Sequence, residues 1–282
     1  IGVAAETNSP FARWEKEIAA FEASDKTNPP PKDAIVFVGS SSIRMWKSLA
    51  SDFPDRAVIN RGFGGSTIWE VDHYFDRVVA PYQPEEIVFY AGENDLNAGR
   101  TPDEAYADFV HFMRLKEKAL GATPVWFISA KPSKLRFDQL AKQTALNAKV
   151  RALADQRDDL AYIDVVPAMQ KPDGTPKDIF VEDNLHMTPE GYALWTPLVD
   201  AALDAGADAD ADAGAAAAAG ALAATAGAAG AAAAPTPSVS MRAITCSEAT
   251  VAPSASTNST ITPAAGAGTS KTTLSISITA RD

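Results

Sequence analysis

The chain contains a single cysteine, Cys246, among its 282 residues. No disulfide can close within it, and a metal site built on cysteine thiolates is excluded. Histidine is almost as scarce, with only His73, His111 and His186, which leaves little scope for a zinc centre. No apolar run approaches the roughly 20 residues of a membrane span. Positive charge is in deficit, with 25 Lys and Arg against 36 Asp and Glu and a net charge of −11. Binding to nucleic acid needs clustered Lys and Arg, so no nucleic-acid partner is expected. Bulky side chains are nearly missing from residues 204–234, which are almost all Ala, Gly and Asp. With so little to bury, this stretch reads as an Ala/Gly-rich linker or poorly defined segment.

What is there concentrates before residue 203. In residues 10–23, Phe11, Trp14, Ile18 and Phe21 form one helical stripe. Asn28-Pro29-Pro30-Pro31 stops that helix. Apolar, strand-like runs then recur at 34–38, 57–59, 86–90, 124–128 and 161–165. They are continuous rather than alternating, as strands covered on both faces should be. Helical stretches fall near 42–50, 67–79, 102–120, 138–156 and 189–203. Five strands alternating with helices predict an α/β domain over residues 1–203, a five-stranded parallel sheet in a three-layer α/β/α sandwich. Spacing alone leaves the strand order open. Residues 235–282 carry short alternating runs, at 238–244 and 272–279, between Pro, Ser, Thr and Gly. They predict a small β-rich C-terminal segment. The chain starts at Ile1 with Gly-Val-Ala-Ala behind it, which fits either a removed export signal or a trimmed chain. The expected location is outside the cytoplasm, periplasmic or extracellular.

Four segments could carry chemistry, and each follows a strand or precedes the last helix. Gly39-Ser40-Ser41-Ser42 sits where strand one ends, at the sheet edge where open α/β folds bind ligands. Serines there also cap helices, which is their commoner use. Asn60-Arg61-Gly62-Phe63-Gly64-Gly65-Ser66-Thr67 is rich in glycine, so its backbone can approach a ligand closely. It lacks the Gly-Lys-Ser/Thr of a phosphate-binding loop. Gly92-Glu93-Asn94-Asp95 follows strand three, and an Asn amide at that place can donate to a developing oxyanion. Asp183-Asn184-Leu185-His186 precedes the final helix, where an aspartate can orient an imidazole. Each segment alone has an ordinary structural reading. Their convergence on one sheet edge favours a nucleophile, a base, its orienter and oxyanion donors. A Gly-x-Ser-x-Gly elbow is absent, so the ordinary α/β-hydrolase fold is not expected.

Taken in order across residues 34–203, these segments resemble the blocks of the SGNH superfamily, also called GDSL-type esterases and lipases. Gly39-Ser40-Ser41 stands where the family has Gly-Asp-Ser, and Gly-Ser-Ser-Ser-Ile-Arg resembles one branch of it. The resemblance implies Ser41 as nucleophile, with Asp183 and His186 as the rest of the triad. It implies an oxyanion hole from the Ser41 and Gly65 amides and the Asn94 side chain, with Gly64 as the fallback for Gly65. It further implies a flavodoxin-like fold with strand order 2-1-3-4-5, no metal or organic cofactor, and a shallow site suited to short acyl chains. The expected activity is hydrolysis of short-chain carboxylic esters through an acyl-enzyme. A carbohydrate O-acetyl esterase is the alternative, and a binding or surface-attachment protein on the same scaffold is an alternative of another class. The expected partner is a small-molecule or carbohydrate ester. Trp46, Trp69, Trp126 and Trp195 are expected mainly in the core, Arg44 in a surface salt bridge, and His73 and His111 at the surface or in helix packing. Lys131-Pro132-Ser133 is expected to shape the pocket.

Overall fold

Successive side chains of a strand face opposite sides of its sheet, and the apolar runs divide accordingly. Val36 and Val38 of β1 (Ile35–Gly39), Ile87 and Phe89 of β3 (Ile87–Tyr90) and Phe127 of β4 (Val125–Ile128) enter one core. Phe37, Val88, Tyr90, Trp126 and Ile128 enter the other. Both faces are buried, which is why the runs show no polar alternation. With β2 (Val58–Gly62) and β5 (Leu160–Ile163), the strands form a five-stranded sheet in the order β2-β1-β3-β4-β5, every neighbouring pair parallel. That is the order the family resemblance implied.

The computed structural model describes residues 9–206. From residue 207 onward, the expected Ala/Gly-rich and β-rich segments lie outside the described residues. On one face of the sheet lie α1 (Glu15–Thr27), α4 (Ile68–Val78), α6 (Pro102–Leu120) and α7 (Leu140–Ala154). The other is covered by α2 (Ser41–Arg44), α3 (Leu49–Asp52), α8 (Val166–Met169) and α9 (residues 189–206). A short α5 (Glu93–Asn97) follows β3. Local chemistry sets the helix starts. Thr67 and Thr101 each accept from the amide three residues on, while Glu70 and Glu104 reach back to the cap amides. Such reciprocal caps each stabilise a helix by about 1 kcal/mol.

Two elements differ most from expectation, each for a visible reason. The helix expected over 42–50 is split into α2 and α3. Between them Trp46 turns into the core, and its indole N–H donates to Asp52 at 2.6 Å. Strand β2 runs on to Gly62, because Asn60 ties it to the Ile43 carbonyl at 2.6 Å and Arg61 pairs with Asp25 at 2.5 Å. Helix α1 ends at Thr27, directly before the Asn28-Pro29-Pro30-Pro31 stop as expected, and Ser24 accepts from the Asn28 amide at 2.8 Å. Trp126 and Trp195 are also buried in the core, whereas Trp69 keeps 45% of its surface exposed.

Candidate active site

β1 ends at Gly39, whose φ is +134°. A Cβ there would overlap the Tyr90 carbonyl oxygen of the neighbouring strand, so only glycine lets the chain turn at this point. Ser40 then donates its amide to Tyr90 at 2.9 Å, and Ser41 opens α2. The Ser41 N–H belongs to the first helical turn and has no acceptor among the described residues. Tyr192 of α9 donates its hydroxyl to the Ser42 carbonyl at 2.9 Å, which ties α2 to the C-terminal helix.

A turn just before α9 holds the partners of Ser41. Val181 and His186 are joined by the Val181 amide and the His186 carbonyl at 2.8 Å, with Asn184 at a φ of +57°. Inside this turn, Asp183 Oδ1 accepts from the Leu185 and His186 amides, each at 2.9 Å. Its Oδ2 lies 2.5 Å from His186 Nδ1, and His186 Nε2 lies 2.9 Å from Ser41 Oγ. A carboxylate only accepts, so Nδ1 carries the imidazole proton and Nε2 is left free to accept from the Ser41 hydroxyl. Partial burial opposes the charge of Asp183. The bonds from the His186 ring and the two amides prevail, and they hold the carboxyl down at about 2. Asp183 is therefore an anion across the whole physiological range. The arrangement can draw a proton from Ser41 to His186 while a fixed negative charge faces the resulting imidazolium.

Two further elements converge on Ser41. Phe63 and Ser66 both bond back to the Gly39 carbonyl, at 2.9 and 3.1 Å, so the glycine loop folds over the end of β1. Gly65 is exposed with a φ of +76°, and neither its amide nor that of Gly64 has an acceptor among the described residues. Both amides thus remain candidate donors. Asn94 lies in α5, where its Nδ2 donates to the Ser66 carbonyl at 2.9 Å. Ser41, Asp183 and His186 are thereby in contact, and the glycine loop and Asn94 are joined to the end of β1 through Ser66.

The comparisons with known proteins follow this geometry. The profile of the GDSL-like lipase/acylhydrolase family matches residues 35–194. The chain belongs to the GDSL-like lipase/acylhydrolase family. No curated protein matches it. Among solved structures, it is similar to a GDSL-like lipase of Bacteroides thetaiotaomicron, with a TM-score of 0.56 and 21% identity, covering 70% of this chain and 98% of that one. It is also similar to a carbohydrate esterase of family 3 from Talaromyces cellulolyticus, with a TM-score of 0.51 and 16% identity over 60% of this chain and 96% of that one. A single-substitution variant of an acetyl-xylooligosaccharide esterase from Geobacillus Stearmophilus gives 0.50 and 13%, over 60% and 93%. At these identities the likeness shows a shared fold.

Beyond the family motifs lie contacts that sequence reasoning did not assign. Arg136 donates to Asn94 Oδ1 at 3.0 Å. Lys131, expected only to shape the pocket, is buried in an ion pair with Glu93 at 2.9 Å. Tyr90 also donates its hydroxyl to Glu93. The available signal was position alone, since both Lys131 and Arg136 follow β4 at the edge that carries the site. Arg44 pairs with Glu17 at 3.8 Å, as expected of a surface arginine. His73 is exposed and stacks on Phe11, and His111 is exposed and bonds to Asp72.

Proposed function

We propose that this GDSL-family protein is a serine hydrolase that cleaves short-chain carboxylic esters through an acyl-enzyme on Ser41. The observation that carries the reading is the unbroken chain Asp183–His186–Ser41, with contacts of 2.5 and 2.9 Å. In this reading Ser41 Oγ attacks the ester carbonyl as His186 Nε2 takes its proton. Asp183 holds the imidazole tautomer and stabilises the imidazolium. The carbonyl oxygen, now an anion, is met by the Ser41 and Gly65 amides and by Asn94. His186 then gives its proton to the departing alkoxide, which leaves as the alcohol and frees the acyl-serine. Water, deprotonated by the same ring, attacks the acyl carbonyl, and Ser41 leaves with the returned proton. A short acyl group is what the family resemblance implies for an open site. The test is hydrolysis of p-nitrophenyl esters from acetate to decanoate by the wild type and Ser41→Ala. The short esters should turn over fastest, and the variant should lose about 10⁶-fold in kcat. Undiminished turnover by Ser41→Ala would remove Ser41 from the chemistry.

A second reading, a carbohydrate O-acetyl esterase, is favoured by Trp69. It lies just beyond the glycine loop at the start of α4, packs on the Phe11 ring at 4.4 Å and keeps 45% of its surface exposed. Aromatic faces at open sites bind sugar rings by stacking their apolar C–H faces. Two of the structural neighbours are esterases whose names refer to carbohydrate substrates. Under this reading Trp69→Ala raises KM for acetylated xylan several-fold and leaves p-nitrophenyl acetate unaffected. Equal effects on both substrates would return the decision to the simple esterase.

A further inference from the structure

Several basic side chains on the segments that carry the site have carboxylate partners among the described residues. Lys131 pairs with Glu93, Arg44 with Glu17 and Lys134 with Asp178. Arg136 has no carboxylate within 4 Å among the described residues, and its guanidinium makes a single side-chain contact, to Asn94 Oδ1 at 3.0 Å. The backbone of Arg136 is pinned on both sides. Leu135 donates its amide to the Asn184 carbonyl at 2.9 Å, which joins this loop to the turn holding Asp183 and His186. Gln139 donates its amide to the Arg136 carbonyl at 3.0 Å and its side chain to Asn97 of α5 at 3.2 Å. The arginine is thus carried by a segment bonded both to the histidine turn and to the helix that bears Asn94.

The consequence falls on the Asn94 carboxamide. Its two ends differ only in hydrogen-bonding character, so its neighbours decide which end points where. Here the guanidinium can only donate and the Ser66 carbonyl can only accept. A flipped amide would set N–H against N–H and carbonyl against carbonyl. The Nδ2 group has two hydrogens, and only one is used by Ser66 among the described residues. A cation at Oδ1 also draws electron density toward oxygen, and linked hydrogen bonds strengthen one another in this way.

We propose that Arg136 is the positioning residue for Asn94, fixing the carboxamide with its free Nδ2–H available to the oxyanion and sharpening that hydrogen as a donor. This rests on the reading of Asn94 as an oxyanion donor given above. The effect belongs to the charge that develops in the transition state, so it acts on kcat and leaves KM nearly unchanged.

A double-mutant cycle tests it, with kcat and KM for p-nitrophenyl acetate and melting temperature measured on each protein. Losing an oxyanion donor costs about 10²–10³ in kcat, which is the loss expected of Asn94→Ala. R136M should lose less, about 10- to 100-fold, with KM within about two-fold, and R136K should recover most of the loss. In the Asn94→Ala background, R136M should cost nothing further, because its target is gone. If R136M also melts lower than the wild type, R136Q replaces it, keeping a neutral donor of similar reach. Wild-type kcat in R136M, or the same loss with and without Asn94, overturns the inference while leaving Ser41 chemistry intact. A rise in KM with kcat preserved overturns it too, since that would mark direct substrate binding. Undiminished turnover by Asn94→Ala removes the oxyanion assignment and the inference together, whereas undiminished turnover by Ser41→Ala removes the esterase reading itself.

Discussion

Two aspartate–histidine pairs occur in the described residues, and only one of them faces a serine. Asp183 and His186 meet at 2.5 Å in the turn before α9, and Asp72 of α4 meets His111 of α6 at 2.9 Å. The first carboxylate receives three N–H groups and is held down at about 2. The second is almost wholly buried, and its Oδ1 has no partner. Burial first, then the negative charges of Asp108 and Asp95, push Asp72 up to about 9. Burial thus favours the protonated form of Asp72 at neutral pH, in which it can donate to His111 rather than orient it as an anion would. The far nitrogen of His111 has no hydrogen-bond partner among the described residues. An Asp–His contact is thus not in itself a base. What makes it one is a carboxylate supplied with enough donors to stay charged, and a ring whose other nitrogen reaches a nucleophile.

The comparison breaks first at Asp183. Replacing it with Asn keeps the shape and removes the charge, and the amide can present N–H to His186 Nδ1 and so favour the wrong tautomer. The expected loss in kcat for p-nitrophenyl acetate is about 10⁴-fold. A loss under tenfold would mean that the ring is oriented by something other than this carboxylate. The aspartate would then be no more functional than its counterpart on α4.

The same contrast explains what the sequence could reveal. The strands were legible because burial on both faces leaves uninterrupted runs such as residues 86–90 and 124–128. Ser41, Asn94, Asp183 and His186 were legible because each follows a strand or precedes the last helix, within a short stretch of small and polar residues. Arg136 was not, since its role depends on Asn94, 42 residues earlier, and on a loop with no glycine signature. Asp72 was hidden for a related reason. Its partners Asp95 on α5 and Asp108 and His111 on α6 come from two other helices, and helical spacing alone gave no cause to place its carboxyl out of water. The break between α2 and α3 had the same origin, because it depends on where Trp46 finds its acceptor.

The smallest effect, and the sharpest contrast with Asp183, is expected from Asp72→Asn. Turnover should not change, because neither Asp72 nor His111 touches Ser41 or its partners. Stability should change, and its direction follows from the raised carboxyl. A group that binds its proton more tightly in the folded chain stabilises the fold below its unfolded value, near 3.8, and loses that contribution as pH rises toward its folded value, about 9. Asp95, raised to about 7 mainly by burial, adds a second loss within the same window. Asn resembles the protonated acid, so it can still donate to His111 but has no proton to lose. Melting temperatures of the wild type should therefore fall between pH 5 and pH 8.5, and those of Asp72→Asn should fall less, so that the two curves diverge upward in pH. Parallel curves would mean that Asp72 is already ionised in the folded chain. Its pairing with His111 would then be an ion pair like any other on the surface, and the distinction between the two aspartates would lie only in the serine beside one of them.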